Sequence, residues 1–474
     1  MREKLRAGIF GIGLDTYWPQ FSGLKERLEG YQQEISKQIS VIDGVELVDA
    51  GLVDNPERAR TVGSMFRQKH VDVLFLYTST YALSSTVLPV VQVAGVPIIV
   101  LNIQPVAAID YDSFNALGDR GAMTGEWLAY CQACCVPEIA GVFGRAGITY
   151  HLVTGYIGDT RTETELAAWV EAAKVARTMR ENHLGVMGHY YAGMLDVYSD
   201  MTRQIAAFGG HIDLIEIDEL ARLRESVTDD DVETQVDEFY RAFDVAPECD
   251  ETELQRAART AVALDKLAAR HHLGSLAYYY EGSPGSAHEA IVTSVIAGNT
   301  LLTGKNIPVA GECEIKNAQA MKIMDSFGAC GSFSEFYAMD FNDDVVLLGH
   351  DGPAHFAIAE GAVGLVPLPV YHGKPGKGLS IQMTVKHGPV TLLSVCEGPD
   401  GVYMITAEGE SVPGPVLHIG NTNSRYRFSL SARDFVERWS GLGPSHHCAI
   451  GVGHVSDRIE KLGALTGIPV ARVC

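Results

Sequence analysis

The sequence predicts an α/β fold: two consecutive Rossmann-like units with parallel sheets, followed by an antiparallel, β-barrel-like C-terminal domain. Three observations carry this. Up to about residue 180, short β-branched runs alternate with amphipathic stretches; from residue 183 the rhythm restarts; beyond about residue 330 it gives way to short alternating runs divided by Gly and Pro. Strands separated by helices imply parallel pairing through crossovers, whereas closely spaced strands divided by turn residues imply antiparallel pairing. The predicted domains are 1–180, 181–325 and 326–474, and 474 residues suit about three cores at roughly 150 residues each.

In the first unit, 7–12, 45–48, 71–77 and 98–102 read as strands, each a short apolar run bounded by polar or turn-forming residues. The apolar segment 87–103 contains Pro89, Gln92, Gly95 and Pro97, so it reads as a packed turn and a buried strand rather than a bilayer span. A helix over 162–180 has an acidic first turn and a basic last turn, matching the helix dipole, and closes the unit. The second unit runs through a strand at 183–189, a helix over 194–208, a strand at 211–217, an acidic helix from about Thr228, an Ala-rich helix over 251–270 and strands at 275–280 and 307–310. The last strand leads through Gly311 and Glu312 into a helix over 315–324. The third unit holds strands at 345–348, 364–370, 379–385, 390–396, 402–407 and 416–419, a Gly-Pro-Asp-Gly turn at 398–401 and a final helix over 455–465.

Acidic residues outnumber basic ones, 59 to 37, and the net charge of −22 makes nucleic acid and anionic lipid poor partners. A hydrophobic content of 46% with 20% charged residues excludes a disordered or collagen-like chain. The N-terminal MREKLRAGIFGIG meets Asp15 directly and has no cleavage site, so no secretory signal is expected and the cytoplasm is the predicted compartment. The nine cysteines form no evenly spaced framework, and their odd number suits a reducing compartment. Cys131-x-x-Cys134-Cys135 has no second Cys or His pair at finger spacing, which argues against zinc.

The turn Gly11-Ile12-Gly13-Leu14-Asp15-Thr16 carries Thr where a dinucleotide fingerprint needs its third glycine, so it reads as a backbone turn at a strand's end. Glu312, Glu335, His350 and the pair His446-His447 are more informative. Singly, Glu312 is a helix-starting carboxylate favoured by the dipole, and the histidines are ordinary surface or core residues. Together they offer a mixed N/O set that suits Mn²⁺, Co²⁺, Fe²⁺ or Zn²⁺. Neither a G-x-x-x-x-G-K-[ST] loop nor a basic cluster lies near them, so a phosphorylated substrate has no cradle.

The stretches YHLVTGYIGDTRTETELAAWVEAA and GECEIKNAQAMKIM, the run from SFSEFYAMDF to LLGHDGP, and GLGPSHHCAIG resemble, in sequence and order, the L-arabinose isomerase family, with L-fucose isomerase more distant. The resemblance implies that Glu312, opening Glu312-Cys313-Glu314-Ile315-Lys316, binds Mn²⁺ with Glu335, His350 and His447, while His446 faces the substrate. The L-fucose pattern has Asp at the second carboxylate and lacks the His350 ligand, which places this set nearer the arabinose branch. Three departures stand out. Glu314 replaces the usual Asp, Gly118-Asp119-Arg120-Gly121-Ala122 lacks the family's His, and Tyr280 stands where Phe is common.

The resemblance implies an aldose–ketose isomerase moving a proton between C1 and C2 of an unphosphorylated sugar through a cis-enediolate, with Mn²⁺ or another divalent ion such as Co²⁺ on O1 and O2. L-Arabinose to L-ribulose is the expected conversion; the alternatives are L-fucose, D-galactose or another pentose, or a non-catalytic sugar-binding protein. Glu312 and Glu335 form the acid/base pair in either order. Asp15, Tyr17, Trp18, Gln20, Met194, Tyr280 and His446 are the expected sugar contacts, with core packing the competing reading for the aromatics. The family's arrangement further implies a homotrimer or homohexamer with active sites shared between subunits.

Overall fold

The computed structural model describes residues 4–371 and 374–474, so the first three residues of the MREK stretch lie outside it. The chain divides into two compact units, Met1–Arg177 and Thr178–Cys474.

The first unit is a five-stranded parallel sheet in the order Val45–Val53, Leu5–Ile12, Val73–Tyr77, Ile98–Gln104 and Tyr150–Tyr156. The four expected strands form because their apolar runs fill a core around Phe10, Phe66, Leu74, Leu76 and Phe143. The fifth, Tyr150–Tyr156, is an edge strand of mixed exposure. The segment 87–103 resolves into the helix Leu88–Ala94 and the strand Ile98–Gln104. Among the described residues no helix is long and apolar enough to cross a membrane.

The glycines of the first turn serve packing. A side chain at Gly13 would meet the Trp18 indole at 2.7 Å, and one at Gly11 would meet Gln32 at 2.3 Å. Trp18 Nε1 donates to Asp54 at 2.9 Å, which pins the ring over the turn. Cys131 and Cys134 close a disulfide that cysteine spacing alone does not predict.

The second unit begins with a parallel sheet in the order Val309–Ala310, Ser275–Tyr279, His183–Gly188 and His211–Ile215. The helix expected over 194–208 is split into a 3-10 turn at Leu195–Val197 and a helix at Met201–Phe208. Asp200 causes the split: its carboxylate caps the backbone N–H groups of Thr202 and Arg203, which starts the helix late. The Ala-rich helix Glu251–Arg270 forms over its expected span.

Beyond it, six antiparallel strands close a barrel. Gly388–Gly398 pairs with His447–Val452, then Ser332–Asp340, Val345–His350, Thr422–Phe428 and Gly401–Val412 follow, and the last pairs back to the first. The strand expected at 416–419 is loop; Thr422–Phe428 takes its place in the barrel. Its polar sequence hides it, because buried Arg425 is neutralised by Asp343 and Asp340. Strand Asp244–Val245 pairs with Gly364–Pro367, and one hydrophobic core runs from Leu254 and Leu264 to Leu365, Ile381 and Val390. The helix Ile315–Ser326 is buried over nearly its whole length and packs on the barrel strands Gly388–Gly398 and His447–Val452. Helix and parallel strands thereby deliver Glu312 to the barrel's rim.

Candidate active site and metal centre

Barrel register assembles most of the site. Glu335 stands opposite His447 on one neighbouring strand and opposite Gly349 on the other, and His350 is the next residue. Directly opposed residues share a face, so the Glu335 carboxylate and the His447 imidazole project together. Phe333, two residues before Glu335, shares that face too; its ring centroid lies 4.4 Å from that of His350 and 4.3 Å from that of His447. One phenyl ring thus supports both imidazoles.

Glu312 arrives from the carboxyl end of Val309–Ala310, where open parallel sheets present ligand-binding groups. Glu312 and Cys313 are consecutive left-handed residues, with φ of 55° and 58°. Non-glycine residues pay about 1–2 kcal/mol each for that conformation. The turn is held by Cys313 N–H donating to Tyr278 O at 2.9 Å and Glu314 N–H donating to Gly311 O at 3.0 Å. The chain therefore maintains local strain in order to aim Glu312.

Ligand atoms of Glu312, His350 and His447 lie within 4.8 Å of one another, and those of Glu335, His446 and His447 do likewise. His447 Nδ1 is 2.5 Å from Glu314 Oε2, which places the ring proton on Nδ1 and leaves the Nε2 lone pair facing Glu312 Oε2 at 3.5 Å. Both His447 Nε2 and Glu312 Oε2 are buried with no hydrogen-bond partner among the described residues. Two orphaned buried acceptors are costly unless a cation satisfies them, and a mixed N/O set fits a divalent transition metal. His350 is fixed by Gly352 N–H donating to its Nδ1 at 2.8 Å. Desolvation, aided by neighbouring histidines, pushes His447 down to about 3 and His350 well below its ordinary value, so both rings are neutral. Neutral imidazole is the form that ligates metal. Burial raises Glu314 to about 7, against the opposing pull of Lys316.

His446 is held differently. Its backbone N–H and its Nδ1 both meet Asp196 Oδ2, at 2.9 and 2.6 Å, and its Nε2 lies 3.5 Å from Glu312 Oε2. Burial alone would lower its pKa, but Glu312 and Asp196 outweigh that and raise it to about 9. The Asp196 turn is in turn anchored by buried Lys316, whose Nζ donates to the Asp196 and Tyr198 carbonyls.

A cavity of about 220 Å³ opens at these groups, lined by Glu312, Glu335, His350, Asp351 and His446 together with Tyr191, Met194, Tyr278 and Tyr279. Pockets for drug-sized ligands span roughly 300–1,000 Å³, so this one suits a small metabolite. Tyr191 and Tyr279 pack at 4.7 Å to form its aromatic wall.

Of the expected sugar contacts, Met194 and His446 line this cavity. Tyr280 is in the hydrophobic core at 1% exposure, while its neighbours Tyr278 and Tyr279 supply the wall instead. Asp15, Tyr17, Trp18 and Gln20 belong to the first unit: Asp15 and Gln20 are exposed, Tyr17 packs edge-on to Phe21, and Trp18 covers the first turn. Sequence reasoning did not single out Asp196, Phe333 or Asp351. Of these, Phe333 had a readable signal, its place two residues before Glu335 in an alternating strand.

No family model matches the chain. An L-arabinose isomerase from a Nocardioides species is 22% identical over 389 residues, covering 78% of this chain and 72% of the relative. A sulfoquinovose isomerase from Alkalicoccus urumqiensis is 20% identical over 333 residues, 68% of this chain and 72% of the relative. An L-arabinose isomerase from Bacillus subtilis is 26% identical over 228 residues, 45% of this chain and 44% of the relative. At low identity over most of its length, the chain is thus similar to several L-arabinose isomerases and to a sulfoquinovose isomerase, as a divergent relative of these sugar isomerases is.

Proposed function

We propose that the chain is a divalent-metal-dependent aldose–ketose isomerase of an unphosphorylated sugar, converting L-arabinose to L-ribulose. The observation that carries this reading is the convergence of Glu312, His350 and His447 around two orphaned buried acceptors, with Glu335 beside them. A divalent ion such as Mn²⁺ or Co²⁺ held by Glu312, Glu335, His350 and His447 supplies the Lewis acidity that polarises a sugar carbonyl. The chain's own groups do the rest. Glu312 and Glu335 exchange the proton between C1 and C2 and the hydroxyl proton, the task of a positioned acid/base pair. His446, gripped twice by Asp196, presents Nε2 to a sugar oxygen. The tyrosine wall packs against the carbon face of the sugar and limits water.

Asp15, Tyr17, Trp18 and Gln20 are assigned to a neighbouring copy's pocket in a cytoplasmic homotrimer or homohexamer. An NMR assay of Mn²⁺-loaded protein against L-arabinose, L-fucose, D-galactose and other pentoses tests the reading. Ketose signals from L-arabinose are expected; ketose from another aldose alone would reassign the substrate, and sugar binding without interconversion would replace the enzyme with a binding protein. Light scattering gives the assembly, and a monomer would remove the shared pocket.

A further inference from the structure

The two carboxylates assigned to proton transfer are not the only ones at the cavity. Asp351, directly after His350, also lines it, and a relay of amides fixes its position. Asn421 Nδ2 donates to Asp351 Oδ1 at 2.7 Å and to the Tyr337 hydroxyl at 2.8 Å. Asn423 Nδ2 donates to Asn421 Oδ1 at 3.0 Å, and Asn423 Oδ1 accepts from Leu417 N–H at 2.9 Å. Asn421 and Asn423 are 3% and 2% exposed. Two buried amides saturated in this way are a built support, because burying them costs free energy unless every bond is made.

A carboxylate held through one oxygen keeps lone pairs for further donors, and sugar hydroxyls are donors. The lining includes no Lys or Arg among the described residues. We propose that Asp351 is a specificity residue that accepts a hydrogen bond from a substrate hydroxyl. This rests on the sugar-isomerase reading and adds to it a carboxylate, outside the acid/base pair and the metal ligands, that reads one hydroxyl of the sugar.

The test uses the Mn²⁺-loaded full chain and Asp351→Asn, which preserves the acceptor for Asn421 and the side-chain volume while deleting the charge. Calorimetry with L-arabinitol, a neutral polyol that cannot be isomerised, reads recognition apart from catalysis. Losing a charge-assisted hydrogen bond weakens binding by about 10- to 100-fold. We expect that loss in Kd and a matching rise in KM with kcat within about threefold. Asn421→Ala gives a smaller loss in the same direction. Unchanged arabinitol affinity in Asp351→Asn, or no arabinitol binding by the native chain, would each overturn the proposal. Arabinitol binding that weakens in the variant, on a native chain that isomerises no aldose, would uphold Asp351 and sink the isomerase reading instead.

Discussion

His447 is joined to Glu314, 133 residues earlier in the chain, by a 2.5 Å contact between Nδ1 and Oε2, both groups lying almost wholly out of solvent. The contact sets which imidazole nitrogen carries the proton and so which one is free for a metal. Outer carboxylates of this kind typically account for 10–100-fold in metal affinity. Glu314→Ala is therefore expected to weaken Mn²⁺ binding by about that factor, as read by calorimetry on the folded variant. Native affinity in that variant would make Glu314 a mere packing residue.

The left-handed turn at Glu312 separates aim from stability. Glycine adopts a φ of 55° freely and alanine does not. With metal removed by chelation, Glu312→Gly should exceed Glu312→Ala in unfolding free energy by about 1 kcal/mol, while both lose turnover. Equal denaturant midpoints would show that the turn holds no strain.

Asp196 acts through His446, since its Oδ2 meets both the backbone N–H and the ring. Asp196→Ala should lower kcat about 10- to 100-fold, short of the full loss of a general acid or base, with Mn²⁺ affinity unchanged. A variant with native kcat would leave His446 positioned by the backbone alone.

A second buried pair sets a pH dependence. His355 Nε2 faces Asp325 Oδ1 at 3.6 Å, both side chains nearly inaccessible. Burial alone would lower the imidazole's pKa, but Asp325 and Cys330 outweigh it and lift it to about 9. The folded value exceeds the unfolded one of about 6.5, so the contribution is complete below pH 6.5 and is lost as pH rises toward 9. It amounts to roughly 3 kcal/mol, and His355→Gln should flatten the stability profile over that window. A native-like slope in the variant would assign the pH dependence elsewhere.

What was legible in the sequence follows from how each group meets its partners. The parallel strands of both units were readable because strands buried on both faces are short apolar runs, and the barrel because its turns are rich in Gly and Pro. That same two-sided burial hid which tyrosine of SLAYYY meets the cavity: with no solvent face in Ser275–Tyr279, alternation does not distinguish Tyr278 and Tyr279 from Tyr280. Glu312, Glu335, His350 and His447 stand out in the sequence through the order of their motifs, and the fold brings their ligand atoms close together. Asp196 was not, because the partner that gives it meaning lies 250 residues away. Thr422–Phe428 was missed because its buried Asn423 and Arg425 are paired by the fold and look exposed in a sequence.

If Glu312, Glu335, His350 and His447 hold a divalent ion on which sugar isomerisation depends, chelation abolishes the reaction. L-Ribulose formed from L-arabinose is followed in chelator-stripped protein before and after stoichiometric Mn²⁺. No ketose is expected from the stripped protein, with turnover restored by Mn²⁺ in the native chain and not in His447→Ala. Undiminished ketose formation after stripping would show that the reaction needs no metal at this centre.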